Sequence, residues 1–129
     1  MNNKITLKYS LLAGAIYFFC ISIAHILGIK VPGLYIYYNV QSLQYQDQII
    51  SFLAFGWSTY FYVASKIRDA VPPLLLSGFI ALIGLANINL SNDFNAEIES
   101  TAPFWIQFII LFIYIVWLVI FYVLSKQKK

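Results

Sequence analysis

Four long apolar runs, each without a formally charged residue, constrain this 129-residue chain more than any other feature of its sequence. They cover residues 9–29, 48–65, 70–91 and 103–124. About 20 helical residues, at 1.5 Å each, cross a hydrocarbon core of roughly 30 Å. Only 10% of the residues are charged and 61% are hydrophobic, which leaves too little polar surface for a water-soluble domain. We therefore predict a single all-α domain over residues 1–129, with four transmembrane helices in an antiparallel bundle and the lipid bilayer as its solvent.

The basic residues predict how this bundle is oriented. Two basic residues lie at the amino terminus, two in the turn that joins the second span to the third, and three at the carboxyl terminus. The two loops at the opposite end share only Lys30. The positive-inside rule then places both termini in the cytoplasm and the loop between the first two spans outside. We predict a multi-pass protein, of a bacterial inner membrane. Basic residues at helix ends do not form a nucleic-acid patch, so no nucleic-acid partner is expected.

The stretch from His25 to Asp47 is the least ordinary part of the sequence. It holds the single histidine, an isolated lysine and four of the ten tyrosines, and it ends on a carboxylate. Pro32-Gly33 interrupts any helix here, and the amides that follow are too polar for hydrocarbon. Tyrosine favours the headgroup level, with its ring in apolar surroundings and its hydroxyl in water. We predict an interfacial loop, built either as a short helix or as an extended segment folded over the bundle.

His25, Lys30 and Asp47 are expected to lie close together at the outer end of the bundle. His25 lies about one turn before the end of the first helix, and Asp47 begins the second helix at a similar depth. One interpretation is that Asp47 orients His25 for general acid–base chemistry. The other, which the absence of a nucleophile or metal partner favours, is a hydrogen-bonded helix end that fastens the loop. We predict no catalytic residue.

The tyrosines extend this candidate site. Tyr35, Tyr37 and Tyr38, with Tyr45 beyond them, form either an aromatic pocket for a small apolar molecule or lipid, or an ordinary interfacial belt. The predicted binding residues are those at this outer end: His25, Lys30, Tyr35, Tyr37, Tyr38 and Asp47. One histidine and one cysteine make no metal motif, so no metal or cofactor is predicted.

Two stripes of small residues are expected to pack against other helices. In the second span the stripe is Ser51, Phe55, Ser58, Tyr62 and Ser65, and in the third it is Ser77, Ala81, Gly84 and Ile88. No span carries a formal charge near its middle, which argues against an ion-coupled transporter.

Residues 25–32 (HILGIKVP) and 45–57 (YQDQIISFLAFGW) resemble the BphX-like family of small bacterial membrane proteins. The resemblance covers roughly the first half of the chain and implies a bacterial four-span protein. Some relatives are encoded beside genes for aromatic-hydrocarbon degradation, but the family has no established activity and implies no catalytic residues. A DoxX-like four-helix protein, associated with membrane redox chemistry, is a weaker match.

Together these observations favour a non-enzymatic membrane protein, either an accessory subunit or a binder of a small apolar molecule at its outer end. The alternative is a small membrane enzyme or redox accessory that uses His25 and Asp47. Four short helices also leave enough surface for a homo-oligomer or a membrane partner.

Overall fold

The computed structural model describes residues 2–35 and 37–126, and within them it is helical without a β-strand. This confirms the prediction of an all-α chain. The helices are α1 (Asn3–Leu27), α2 (Gln44–Lys66), α3 (Val71–Leu90), α4 (Asn92–Glu97) and α5 (Ala102–Lys126), with a 3-10 turn over Arg68–Ala70. Each of the four apolar runs falls on a long helix.

Three stretches are long and apolar enough to cross a membrane: Asn3–Leu27, Arg68–Leu90 and Ala102–Lys126. The helix α2 has 23 residues, but its tyrosines, serines and amides make it less apolar than the others. The short helix α4 lies between the third and fourth apolar runs, where the sequence predicted no helix. Six residues are too few to carry a recognisable helical period.

The helices α1 and α2 pack closely and run antiparallel, joined by polar contacts at several depths. The hydroxyls of Ser22 and Ser51 lie 3.1 Å apart, and Ser58 Oγ donates to the carbonyl of Ala15 at 2.7 Å. The buried face of α2 consists of Asp47, Ser51, Ala54, Ser58, Phe61 and Ala64. Small side chains on this face let the two backbones approach. The predicted stripe was therefore wrong at Phe55 and Tyr62, which are half exposed.

On its other side α1 contacts α5, and α5 in turn contacts α3. The Tyr114 hydroxyl donates to the carbonyl of Ser10 at 2.7 Å, and Gly78 of α3 lies against the side chain of Ile115. The helices α2 and α3 barely touch and leave an apolar groove of about 350 Å³ between them. Three residues of the predicted α3 stripe, Ala81, Gly84 and Ile88, line this groove and are exposed. The prediction that they pack against another helix was therefore wrong.

Gly14 and Gly56 provide a matched test of this packing. A methyl group at Gly14 would lie 2.7 Å from Phe61 Cδ1, whereas one at Gly56 would meet nothing within 4 Å. We expect Gly14→Ala to destabilise the protein by about 1–3 kcal/mol through overpacking, and Gly56→Ala to be neutral or stabilising. Thermal unfolding of both variants in the same detergent measures the difference. Equal midpoints would contradict the close packing of α1.

Candidate functional site

The loop between α1 and α2, residues 28–43, folds back over the helix ends and is called the cap below. It begins at Gly28, the residue that caps the end of α1. Gly28 has a φ of 65°, in the left-handed region that glycine adopts most easily. The N–H of Ile29 then bonds the carbonyl of Ala24 at 2.8 Å and closes the helix. A second turn at Gly33, with φ of 88°, brings Pro32 and Tyr35 together in an isolated bridge. In residues 28–35 and 37–43 the cap is folded over the helix ends in a series of turns, with no helix among them, so it matches the folded-over form but is not extended.

The carboxylate of Asp47 lies at the centre of the junction between the cap and the helices. Asp47 is in the first turn of α2 and is 8% exposed. Its Oδ1 accepts hydrogen bonds from the Tyr35 hydroxyl and from His25 Nδ1, the latter at 3.4 Å. Its Oδ2 accepts from Ser42 Oγ at 2.9 Å. These four side chains, Asp47, Tyr35, Ser42 and His25, are called the Asp47 cluster below. The N-terminus of α2 adds a favourable dipole for the negative charge.

The rings of His25 and Tyr35 stack inside this cluster. Their centroids are 3.8 Å apart and the planes differ by 21°. Both side chains are buried, at 4% and 2% exposure. Lys30 is exposed, and its Nζ lies 5.6 Å from the centroid of the Tyr35 ring, within range of a cation–π interaction. The structure thus brings His25, Tyr35 and Asp47 into one cluster with Lys30 beside it.

Hydrogen bonding and burial oppose each other at Asp47. Burial alone would raise the pKa of the Asp47 carboxyl, but the hydrogen bonds from Tyr35, Ser42 and His25 outweigh it and hold the pKa below its ordinary value. Burial, with the neighbouring Asp47 carboxylate, raises the pKa of the Tyr35 phenol. At neutral pH Asp47 is therefore an ionised acceptor and Tyr35 a neutral donor.

This charge assignment fixes the role of each nitrogen of His25. An ionised carboxylate only accepts, so Nδ1 carries the proton that it donates to Asp47. In a neutral ring Nε2 is then an acceptor, and in the described part of the chain this buried atom has no partner. No group of three potential metal ligands exists among the described residues, so His25 and Asp47 lack the further protein ligands that a metal would need.

A groove of about 800 Å³ opens beside the cluster, between α1 and α5 and under the edge of the cap. None of the described residues that line it is charged. At its cap end the Tyr17 hydroxyl donates to the carbonyl of Gly33 at 2.6 Å, and Gln107 Nε2 lies 3.5 Å from that hydroxyl. Its deeper part, towards Gly14 and Tyr114, is apolar. The groove is a concave apolar site with a few neutral polar groups at one end.

The tyrosines of the cap and Tyr45, at the start of α2, do not form one pocket. Tyr38 lines the groove. Tyr37 packs instead against Phe94 and Phe104, and its buried hydroxyl has no partner among the described residues. Tyr45 is 58% exposed. Sequence reasoning missed Ser42, whose hydroxyl bonds the Asp47 carboxylate. The one hint in the sequence was its position five residues before Asp47.

Comparison of the chain with protein-family models, with curated proteins and with solved structures gave no match. The resemblance to the BphX-like family stays a prediction from two short stretches of sequence.

Tyr35 and Tyr37 allow the Asp47 cluster to be tested by the same chemical change at two buried hydroxyl groups. Tyr35→Phe removes a donor to a charged group and should cost about 1.5–3 kcal/mol. Tyr37→Phe removes a hydroxyl without a partner and should cost less than about 0.5 kcal/mol or be stabilising. Thermal midpoints in one detergent compare the two. A larger loss for Tyr37→Phe would contradict the geometry of the cluster.

The ionised Asp47 predicts a pH dependence with a definite sign. Because its folded-state pKa lies below the ordinary value of 3.8, the carboxylate stabilises the fold above pH 3.8, and this stabilisation is lost as the pH falls through the lower pKa. We expect the difference in thermal midpoint between the wild type and Asp47→Asn to stay constant at neutral pH and to shrink only below pH 3.8. A difference that already shrinks at about pH 6 would mean that desolvation dominates.

Proposed function

We propose that this chain is a non-catalytic membrane protein that holds an uncharged, largely apolar small molecule or lipid chain in the groove between α1 and α5. The observation that carries the proposal is the groove itself, about 800 Å³ in volume and lined, as far as the structure describes the chain, by uncharged residues. Its volume falls in the range of about 300–1,000 Å³ that is usual for small-molecule sites.

The chemistry of the lining selects for neutral ligands. A charged group in an apolar groove loses its hydration without gaining an ion pair, which costs several kcal/mol. The neutral polar groups at the cap end, on Tyr17, Tyr38 and Gln107, can orient one hydrogen-bonding end of a ligand. The apolar remainder of the ligand then lies along Gly14 towards Tyr114.

The Asp47 cluster supports this role because it positions one wall of the groove. Gly33, Leu34 and Tyr38 of the cap line the groove. Tyr35, next to Leu34, is bound by Asp47. A cap released from Asp47 would therefore lose its position over the groove.

The proposed topology has four spans, both termini in the cytoplasm and the cap outside, in a bacterial inner membrane. The distribution of basic residues supports this orientation. In this topology α2 also crosses the membrane, in addition to the three more apolar helices. Its polar residues include the hydroxyl groups directed at α1. A helix shielded in this way tolerates a lower hydropathy than one surrounded by lipid.

A second candidate is a membrane enzyme or redox accessory that uses His25. The observation in its favour is the free, buried Nε2 opposite the Nδ1–Asp47 contact, an arrangement suited to a general base. A His25→Ala protein that folds, keeps its groove ligand and loses a cellular phenotype would favour this candidate over the first.

Filling the groove tests the proposed function. Ile110 lines the groove and is 60% exposed, whereas Ile113, on the same helix and equally exposed, does not line it. We expect a long-chain alcohol bearing a photoactivatable diazirine to label α1 and α5 around the groove in neutral-lipid nanodiscs. Ile110→Trp should reduce this labelling severalfold, and Ile113→Trp should not.

The same probe series distinguishes neutral from charged ligands. A carboxylate or trimethylammonium in place of the alcohol should label the groove less than the alcohol does. Labelling spread evenly over all helices, or an equal loss in both tryptophan variants, would overturn the proposal.

A further inference from the structure

A second pocket, of about 300 Å³, lies at the opposite end of the molecule from the cap. It is formed by the start of α1, the end of α2 with the turn that follows, and the end of α5. Four basic side chains line it: Lys4, Lys8, Lys66 and Arg68. Two of these come from α1 and two from the α2–α3 connection, so residues distant in sequence converge on one pocket.

In the described part of the chain, no carboxylate lies within 4.0 Å of these cations. Among the described residues the one acid–base contact within 4.0 Å is His25–Asp47, at the cap end. Arg68 Nη2 donates to the neutral hydroxyl of Ser125 at 3.1 Å. Asp69 is the one acidic residue near this end, and it neither lines the pocket nor contacts a cation. Like charges gathered in one pocket repel each other, which a bound anion relieves.

Apart from Ser65 and Ser125, the remainder of the pocket lining is aliphatic, and tyrosines flank the cations. Its inner wall includes Leu7, Leu11 and Val71, which belong to the buried core. Lys66 Nζ lies 5.4 Å from the centroid of the Tyr62 ring, and the Arg68 guanidinium lies 5.7 Å from that of Tyr122. Cations, tyrosines and aliphatic side chains at the end of apolar helices are arranged as at a membrane headgroup layer.

We infer that this pocket binds the phosphate group of an anionic phospholipid. The basic rim matches the charge of the phosphate. A free phosphate shares that charge, but the tyrosines beside the cations and the helix ends around the pocket favour a phosphate carried by a lipid. The three membrane-competent helices all have one end here, and basic residues at the ends of such helices interact with lipid headgroups. The inference is independent of the groove, which lies under the cap.

Native mass spectrometry of the full chain tests this site. The protein is released from nanodiscs that contain equal amounts of phosphatidylcholine and phosphatidylglycerol. We expect retained phosphatidylglycerol in excess of phosphatidylcholine. Arg68→Gln and Lys8→Gln should each weaken retention by about fivefold, because a basic residue near a lipid headgroup contributes about 1 kcal/mol. Lys30→Gln removes the same charge at the cap end and should have no effect.

Lys8 and Arg68 are both exposed. Arg68 bonds Ser125, whereas the Lys8 side chain makes no hydrogen bond to a described residue, so we expect Lys8→Gln to leave the fold intact. Equal retention of the two lipids, or an equal loss in Lys30→Gln and Lys8→Gln, would overturn the inference. Displacement of the lipid by excess inorganic phosphate would also overturn it, since the site would then recognise free phosphate and not a phospholipid.

Discussion

The carboxylate of Asp47 is buried at the start of α2, and a charge in that position needs hydrogen-bond donors. Leaving one partner of a buried charge unpaired costs about 3–5 kcal/mol. Two of its three donors, Tyr35 and Ser42, come from the cap, and the third, His25, comes from the last turn of α1. The conformation of the cap, the end of α1 and the start of α2 are therefore determined together. The stacking of Tyr35 on His25 adds apolar contact to the same junction.

The two ends of the molecule differ in charge, and the two candidate sites follow this difference. At the cap end Asp47 has its own donors, and the described residues that line the adjacent groove are all neutral. At the other end four basic residues share a pocket, and no acidic side chain of residues 2–35 or 37–126 lies within 4.0 Å of them. A neutral groove favours an uncharged ligand, and an unneutralised basic pocket favours an anion. The same charge distribution underlies the proposed orientation in the membrane.

Sequence alone predicted the helical class and the common level of His25 and Asp47 at one end of the bundle. Uncharged apolar runs are a strong signal, because a helix that crosses lipid must satisfy its own backbone. Counting residues from the helix ends placed His25 and Asp47 at one level, and their side chains lie 3.4 Å apart. The role of Tyr35 was not predictable, because the turns at Gly28 and Gly33 decide which of the cap's tyrosines reaches Asp47.

The helix faces were harder to predict than the helices. Small residues on α3 indicated close packing, but Leu74, Gly78 and Leu82 face the bundle instead. Lipid and protein interiors are similarly apolar, so hydrophobicity does not distinguish the two faces of such a helix. On α2 the position of Ser58 correctly indicated the face that packs against another helix. A hydroxyl between apolar helices requires a hydrogen-bond partner, and here that partner is the carbonyl of Ala15.

Amide hydrogen exchange of the cap in neutral-lipid nanodiscs, measured by NMR for the wild type and Asp47→Asn, tests most directly whether Asp47 holds the cap in place. The amides of Tyr35 and Val40 bond to carbonyls within the cap, those of Val31 and Tyr37. Asp47→Asn should accelerate exchange at both amides and leave the middle of α5 unchanged. Unchanged exchange in the cap would show that its conformation does not depend on the buried carboxylate and would contradict the account.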